Sequence, residues 1–210
     1  VIPALDVYAM ALEDGSRPLL ARGRTGRVRP AGIARWLGPV GEVEERALAR
    51  VRGPVLDIGC GPGRHVRALA RRGVLAVGVD VSAAAVTLAR RRGAVAVRAS
   101  VFDGIPGAGS WPSALLLDGN IGIGACPTVL LRRVASLLAA GGDVLVELQP
   151  PRRGVVIEEL RLEHGGACSA WFRWATVAVD AIDEPAAAAG LRVAESWCDA
   201  GRWFARLERR

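Results

Sequence analysis

The chain has 210 residues, 51% hydrophobic and 23% charged, a composition that excludes intrinsic disorder and suffices for one substantial core. Its formal charge is +7, and all 28 basic residues are arginines. Cys60, Cys126, Cys168 and Cys198 are widely spaced with no CxxC pair, and only His65 and His164 accompany them, so neither a metal site nor a disulfide framework is expected, and a reducing, cytoplasmic setting fits.

Residues 1–50 read as a helical N-terminal extension and substrate lid. Asp6, Glu13 and Asp14 interrupt any apolar leader, so no signal peptide is expected, and no later run has the length of a membrane span. Ala4–Leu12 is a short helix candidate, and Gly15–Gly32 reads as a glycine- and arginine-rich loop. A second helical region runs from about Gly41 to Val51, with Val43, Ala47, Leu48 and Val51 on one face. The cluster Arg22, Arg24, Arg27, Arg29 and Arg35 fits either a solvated face or an anionic partner, small molecule or nucleic acid.

From Gly53-Pro54 the pattern alternates. Val55–Ile58 is a strand, and Arg64–Arg72 a helix closed by Gly73. Leu75–Val79 is a strand ending at Asp80. Ser82 caps a helix over Ala83–Arg91, and Val95–Ala99 is a third strand. Turn residues 103–112 lead to Ala114–Leu117. Pro127 opens a helix to about Ala139, which Gly141-Gly142 ends before Asp143–Leu148. Five apolar strands separated by helices predict parallel pairing with right-handed crossovers. Beyond Pro150-Pro151, Val155–Glu163 and Ala170–Val179 alternate more than they run, as a hairpin or an edge extension would, inside a variable insertion at about 151–182. Glu184–Ala189 is a short helix, and Leu191–Trp197 and Arg202–Arg209 are two closing strands.

The informative segment is Val55-Leu-Asp-Ile-Gly-Cys-Gly-Pro-Gly-Arg-His65: a strand, a glycine-rich bend, then a helix. Glycines let ligand atoms approach the backbone, and ligands of open α/β sheets bind beyond the carboxyl ends of the strands. A dinucleotide loop would read GxGxxG with pyrophosphate at the helix N-terminus, but counting from Gly59 the sixth position is Arg64. Asp57 before the first glycine suits a cationic ligand better than phosphates. Asp80, 21 residues after Gly59, is placed to accept both hydroxyls of an adenosine ribose.

VLDIGCGPG, followed by GVDVS at Gly78–Ser82, resembles the first two motifs of the class I (Rossmann-like) S-adenosylmethionine-dependent methyltransferases over roughly residues 53–150. The resemblance implies an α/β Rossmann-like methyltransferase sandwich, with a mostly parallel seven-stranded sheet and an antiparallel C-terminal strand. Residues 51–210 would be the domain that binds S-adenosyl-L-methionine. Asp57, Gly59, Cys60, Gly61 and Gly63 would surround the methionine portion, and Asp80 and Val81 the ribose. Ser100, Val101 and Phe102 would meet the adenine, with Ser100 standing where an acid is usual and Asp103 at the place of a second one. Asp118, in Leu115-Leu-Leu-Asp-Gly-Asn120, would line the site near the sulfonium and the acceptor.

Methyl transfer is a direct displacement, for which the protein mainly positions the partners. Asp118 and His65 are the candidate catalytic bases, and no metal is called for. Contacts to the acceptor are expected from residues 1–50 and 151–182, with Tyr8, Arg27, Arg29, Trp36, Glu158, Arg161, Trp171, Phe172, Arg173 and Trp174 conspicuous, and Gln149 at the end of strand five. The expected acceptor is a small molecule, with secondary metabolism one setting it fits, and the expected state is a monomer or weak homodimer off the membrane. RNA or protein methylation and a non-catalytic cofactor-binding scaffold are the alternatives. The missing asparagine-proline-proline-aromatic motif argues against nucleic-acid bases.

Overall fold

A computed structural model describes residues 2–209. In chain order the elements are α1 (Ala4–Asp14), β1 (Leu20–Gly23), β2 (Val28–Pro30), α2 (Ile33–Leu37), α3 (Glu42–Leu48), β3 (Val55–Ile58), α4 (Arg64–Arg71), β4 (Ala76–Asp80), α5 (Ala83–Arg91), β5 (Ala96–Arg98), β6 (Trp111–Leu116), α6 (Pro127–Leu137), β7 (Leu138–Leu148), β8 (Val155–His164), β9 (Ala167–Cys168), β10 (Phe172–Val177), α7 (Asp183–Ala188), β11 (Leu191–Asp199) and β12 (Arg202–Arg209).

Seven strands form one sheet in the order β11-β12-β7-β6-β3-β4-β5. β3 through β7 pair in parallel, and β12 runs antiparallel to both β7 and β11, as the family resemblance implies. The chain leaves β3 toward β4 and β5, then returns to β6 on the other side of β3. That reversal opens a cleft beyond the carboxyl ends of β3 and β6. Each face of the sheet is covered. Leu56, Ile58, Ala114 and Leu116 pack with Leu130, Leu131 and Val134 of α6, while Val55 and Leu115 pack with Val66 and Leu69 of α4. Fully burying one such side chain stabilises the fold by about 1.5–3 kcal/mol.

A second sheet has the order β10-β8-β1-β2, with β9 beside β8, and every pair in it is antiparallel. Of the hairpin or edge extension expected after Pro150-Pro151, the structure has the antiparallel pair β8 and β10. The stretch Gly15–Gly32, expected as a loop in a helical extension, instead supplies β1 and β2. Of these strands of four and three residues, β1 pairs with β8, with Arg22 opposite Arg161, and β2 pairs with β1 at the edge. α1 is fastened beneath them, with Val7 and Ala11 buried against Leu19, Ile33 and Ala85 of α5. α6 stops at Leu137, two residues before the expected end, and β7 begins at Leu138 and runs through Gly141-Gly142. Among the described residues no helix is long and apolar enough to cross a membrane.

Candidate active site

The glycine bend leaves β3 at Ile58. Gly59 has φ +71°, and a Cβ there would lie 2.7 Å from Nδ2 of Asn120, so both backbone and space call for glycine. Asn120 holds the bend from the opposite lip, its Nδ2 donating to the carbonyls of Ile58 (2.8 Å) and Gly59 (2.9 Å). Asp80, at the end of β4, accepts the Gly61 N–H at 2.9 Å and the Ser82 N–H at 2.8 Å. Each oxygen keeps a lone pair for a further donor. Burial raises the Asp80 pKa, and these backbone donors oppose the rise. The thiol of Cys60 is also pushed up by burial, then by Asp57 and Asp80, which keeps it protonated.

A cavity of about 790 Å³ extends from this bend to the second sheet. Gly59, Cys60, Gly61, His65, Asp80, Val81, Ser100, Val101, Phe102 and Asp118 all line it. Val81 and Phe102 are large apolar side chains that stay 45% and 44% exposed there. Two expected cofactor contacts do not reach the wall. Asp57 is buried beneath the bend, 3.6 Å from Nδ1 of His65, and neither of its carboxylate oxygens has a hydrogen-bond partner among the described residues. Gly63 instead gives room to a neighbour, since a Cβ there would lie 2.7 Å from the Cβ of Ala94. Asp103 also lies off the wall. Ser100 lines it while capping its own turn, its Oγ accepting the Phe102 N–H at 3.2 Å.

Neither expected base stands free in the cavity. Asp118 sits at φ +56°, in the left-handed region that Asp and Asn enter more readily than most residues. Both its oxygens lie 2.9 Å from Nη2 of Arg64, and Nη2 of Arg35 is 2.9 Å from Oδ1. Arg64 also donates to Oε1 of Glu44 at 2.5 Å. That oxygen accepts from Nη1 of Arg202 at 2.7 Å, and Arg202 grips Glu147 through two 2.9 Å bonds. Glu147 closes the ring by accepting the Asp118 N–H at 2.8 Å. Three guanidinium groups thus balance three carboxylates. Asp118 is an anchor of this network rather than a free base. His65 lines the cavity, but its Nε2 is closed off from solvent, has no hydrogen-bond partner among the described residues and lies 3.9 Å from Oδ2 of Asp118.

Sequence reading missed Glu44, Arg64, Glu147 and Arg202. Two signals were present: Arg64 where a dinucleotide loop would have glycine, and Glu147 inside the apolar run of β7.

The far wall is the inner face of the second sheet, including Leu160 and Leu162 of β8 and Phe172 and Trp174 of β10. Tyr8 and Trp36 meet edge to face with centroids 5.8 Å apart. Burial, then the charge of Asp80 and that of Asp118, push the Tyr8 phenol up, so its hydroxyl is a hydrogen-bond donor. Arg27, Arg29, Glu158 and Gln149 also line the cavity, whereas Arg161, Trp171 and Arg173 do not. The Trp171 ring instead carries the guanidiniums of Arg24 and Arg161, 4.2 and 5.2 Å from its centroid.

A family model described as a methyltransferase domain matches residues 55–142. The chain is 30% identical over 146 residues to trans-aconitate 2-methyltransferase of Paracidovorax citrulli (strain AAC00-1). The match covers 68% of this chain and 53% of the relative, so the chain spans about half the length of that curated protein. Among solved structures it is similar to an S-adenosylmethionine-dependent methyltransferase from Bacteroides fragilis in complex with S-adenosylhomocysteine. There the TM-score is 0.81 and the identity 21%, over 98% of this chain and 93% of the other. A 1,6-didemethyltoxoflavin-N1-methyltransferase from Burkholderia thailandensis gives a TM-score of 0.64 at 16% identity, covering 98% and 86%. An amino pentose methyltransferase from Micromonospora echinaspora gives 0.61 at 21%, covering 84% and 94%.

Proposed function

We propose, from the class I S-adenosylmethionine-dependent methyltransferase fold that this chain has, that it moves a methyl group from S-adenosyl-L-methionine to a small molecule held between its two sheets. The observation that carries the reading is one continuous cavity of about 790 Å³, running from Asp80 and the glycine bend to Phe172 and Trp174. Its volume falls within the range of small-molecule sites. The relatives above include methyltransferases named for trans-aconitate, an amino pentose and 1,6-didemethyltoxoflavin, which supports an acceptor of that size.

The residues present suit the cofactor. Gly59 and Gly61 offer backbone without side chains, Asp80 offers lone pairs to ribose hydroxyls, and the exposed Val81 and Phe102 offer apolar surface to a flat base. When bound, S-adenosylmethionine supplies an electrophilic methyl group whose leaving group is a neutral thioether. The chain's own part is placement. Asp80 orients the sugar, and the second sheet shields the cavity from water. The Tyr8 hydroxyl, near Gly61, is a donor that orients polar groups. Proximity and orientation of this kind contribute on the order of 7–11 kcal/mol. With Asp118 bound by Arg64 and Arg35, and Nε2 of His65 closed off, the acceptor brings its own lone pair.

The test is calorimetric titration with S-adenosylhomocysteine, followed by a metabolite screen that scores formation of S-adenosylhomocysteine from S-adenosylmethionine. Binding, then turnover on a small molecule, is expected. Failure to bind, or preference for a pyrophosphate nucleotide at the same bend, overturns the reading, and turnover on RNA or protein alone overturns the acceptor class.

A further inference from the structure

We infer that the acceptor carries an oxyanion, a carboxylate or phosphate monoester, received by Arg27 and Arg29 on the second sheet. The inference rests on the methyltransferase reading above and adds the chemistry of the acceptor to it.

Alternate residues of a strand face opposite sides, and a sheet with one covered face normally turns apolar residues toward it. β2, with Arg27 just before it, does the reverse. Val28 points away from the cavity and is 40% exposed, while Arg27 and Arg29 on either side of it line the cavity. Apart from Glu158, opposite Trp174, the neighbouring inner positions on β1, β8 and β10 follow the rule. Ala21 stands opposite Arg29, Leu162 opposite Ala21, and Phe172 opposite Leu160.

Pairing separates the inner arginines from the outer ones. Off the cavity, Arg22 binds Glu163 at 2.7 Å and Arg24 binds Glu159 at 3.0 Å. In the cavity, Arg29 has only Glu158, at 3.6 Å, and neither Arg27 nor Arg153, a further arginine of the wall, makes an ion pair among the described residues. The remaining acids of the wall are engaged elsewhere: Asp118 by Arg64 and Arg35, Asp80 by the Gly61 and Ser82 N–H groups. Of the five arginines on the wall, Arg35 and Arg64 are paired with Asp118, and the other three face one carboxylate, Glu158. Inward charges also protect an edge strand such as β2 from pairing with other chains. That device does not explain Arg153, which lies far from β2 in the segment before β8, or the lack of counter-charge. A guanidinium fork matches the oxygens of a carboxylate or phosphate, and Leu160, Phe172 and Trp174 offer an apolar wall for the rest of the molecule.

The experiment measures binding of 3-phenylpropanoate, 3-phenylpropanamide and phenyl phosphate by calorimetry to protein saturated with S-adenosylhomocysteine. The parent is compared with Arg29→Gln, the double variant Arg27→Gln/Arg29→Gln, and Arg24→Gln as an outer-face control. At least one anion should bind about tenfold or more tightly than the amide, the size of one charge-assisted hydrogen bond. The double variant should erase that preference while S-adenosylhomocysteine affinity stays near that of the parent, and Arg24→Gln should keep it. The stronger anion identifies carboxylate or phosphate as the source. If S-adenosylhomocysteine binds but acid, phosphate and amide bind equally or not at all, or if the double variant keeps the preference, the oxyanion site is wrong. If the parent fails to bind S-adenosylhomocysteine, it is the methyltransferase reading that falls.

Discussion

Nη2 of Arg64 lies 2.9 Å from both carboxylate oxygens of Asp118, at the point where the cleft meets the buried network of Glu44, Glu147 and Arg202. The Arg64 side chain is only 2% exposed, so its charge depends on these partners. Asp118 therefore serves the fold of the site before any chemistry.

We expect Asp118→Asn to lower stability by roughly 3 kcal/mol, the cost of breaking a buried pair from one side. Asparagine tolerates the left-handed backbone at this position, so the variant isolates the charge. In a chain of this length the melting temperature should fall by roughly 10 °C, with turnover kept at a temperature where the variant is folded. An unchanged melting temperature with turnover abolished would make Asp118 a base after all.

His65→Ala should retain turnover within an order of magnitude and leave the pH profile of kcat/KM without a missing limb. A general base is worth roughly 10²–10⁴ in rate. A loss of that size, together with loss of one limb of the profile, would return His65 to the chemistry.

Asp80→Asn should weaken S-adenosylhomocysteine binding by roughly ten- to a hundredfold, the range of hydrogen bonds to a charged group at about 1.5–3 kcal/mol. Circular dichroism should show the parental fold. Affinity equal to the parent's would remove the ribose assignment.

Acid should destabilise the protein through Glu44. Burial works to raise its pKa, but hydrogen bonds from Arg64, the Gly41 N–H and Arg202 overcome it and hold the group at about 2, against an ordinary 4.5. The folded form thus binds this proton less tightly than the unfolded chain. The resulting stability is fully present above pH 4.5 and lost as pH falls toward 2, by roughly 3 kcal/mol. Asp80 has the opposite sign. Burial raises its folded pKa, so its contribution is present below 3.8 and lost as pH rises toward the raised value. Urea midpoints across this range should fall less steeply with acid in Glu44→Gln. A slope equal to the parent's would count against the network.

A Cβ at Gly122 would lie 2.2 Å from Nε1 of Trp174 and 2.4 Å from the Ala175 carbonyl oxygen. We expect Gly122→Ala to cost about 1–3 kcal/mol by overpacking and to shift tryptophan fluorescence, because the loop after β6 is pressed directly on β10. Parental stability and fluorescence would show that the second sheet does not rest on this loop.

What the chain order determined by itself was the bend Gly59–Gly63, the carboxylate Asp80 at the next strand end, and the run of strands and helices that makes the seven-stranded sheet. These features are local: glycines mark positions of positive φ, and apolar runs between caps mark buried parallel strands. Tertiary structure decided the rest. β1 and β2 are too short to show a period of two; β1 becomes a strand by pairing with β8 from the far end of the chain, and β2 by pairing with β1. That pairing sets which way Arg27 and Arg29 face. Asp118 reads as a free acid in sequence, and it is the convergence of α2, α3, α4 and β12 that brings Arg35, Glu44, Arg64 and Arg202 together around it. Ion-pair partners are chosen by distance in space, and a one-dimensional pattern carries no record of that distance.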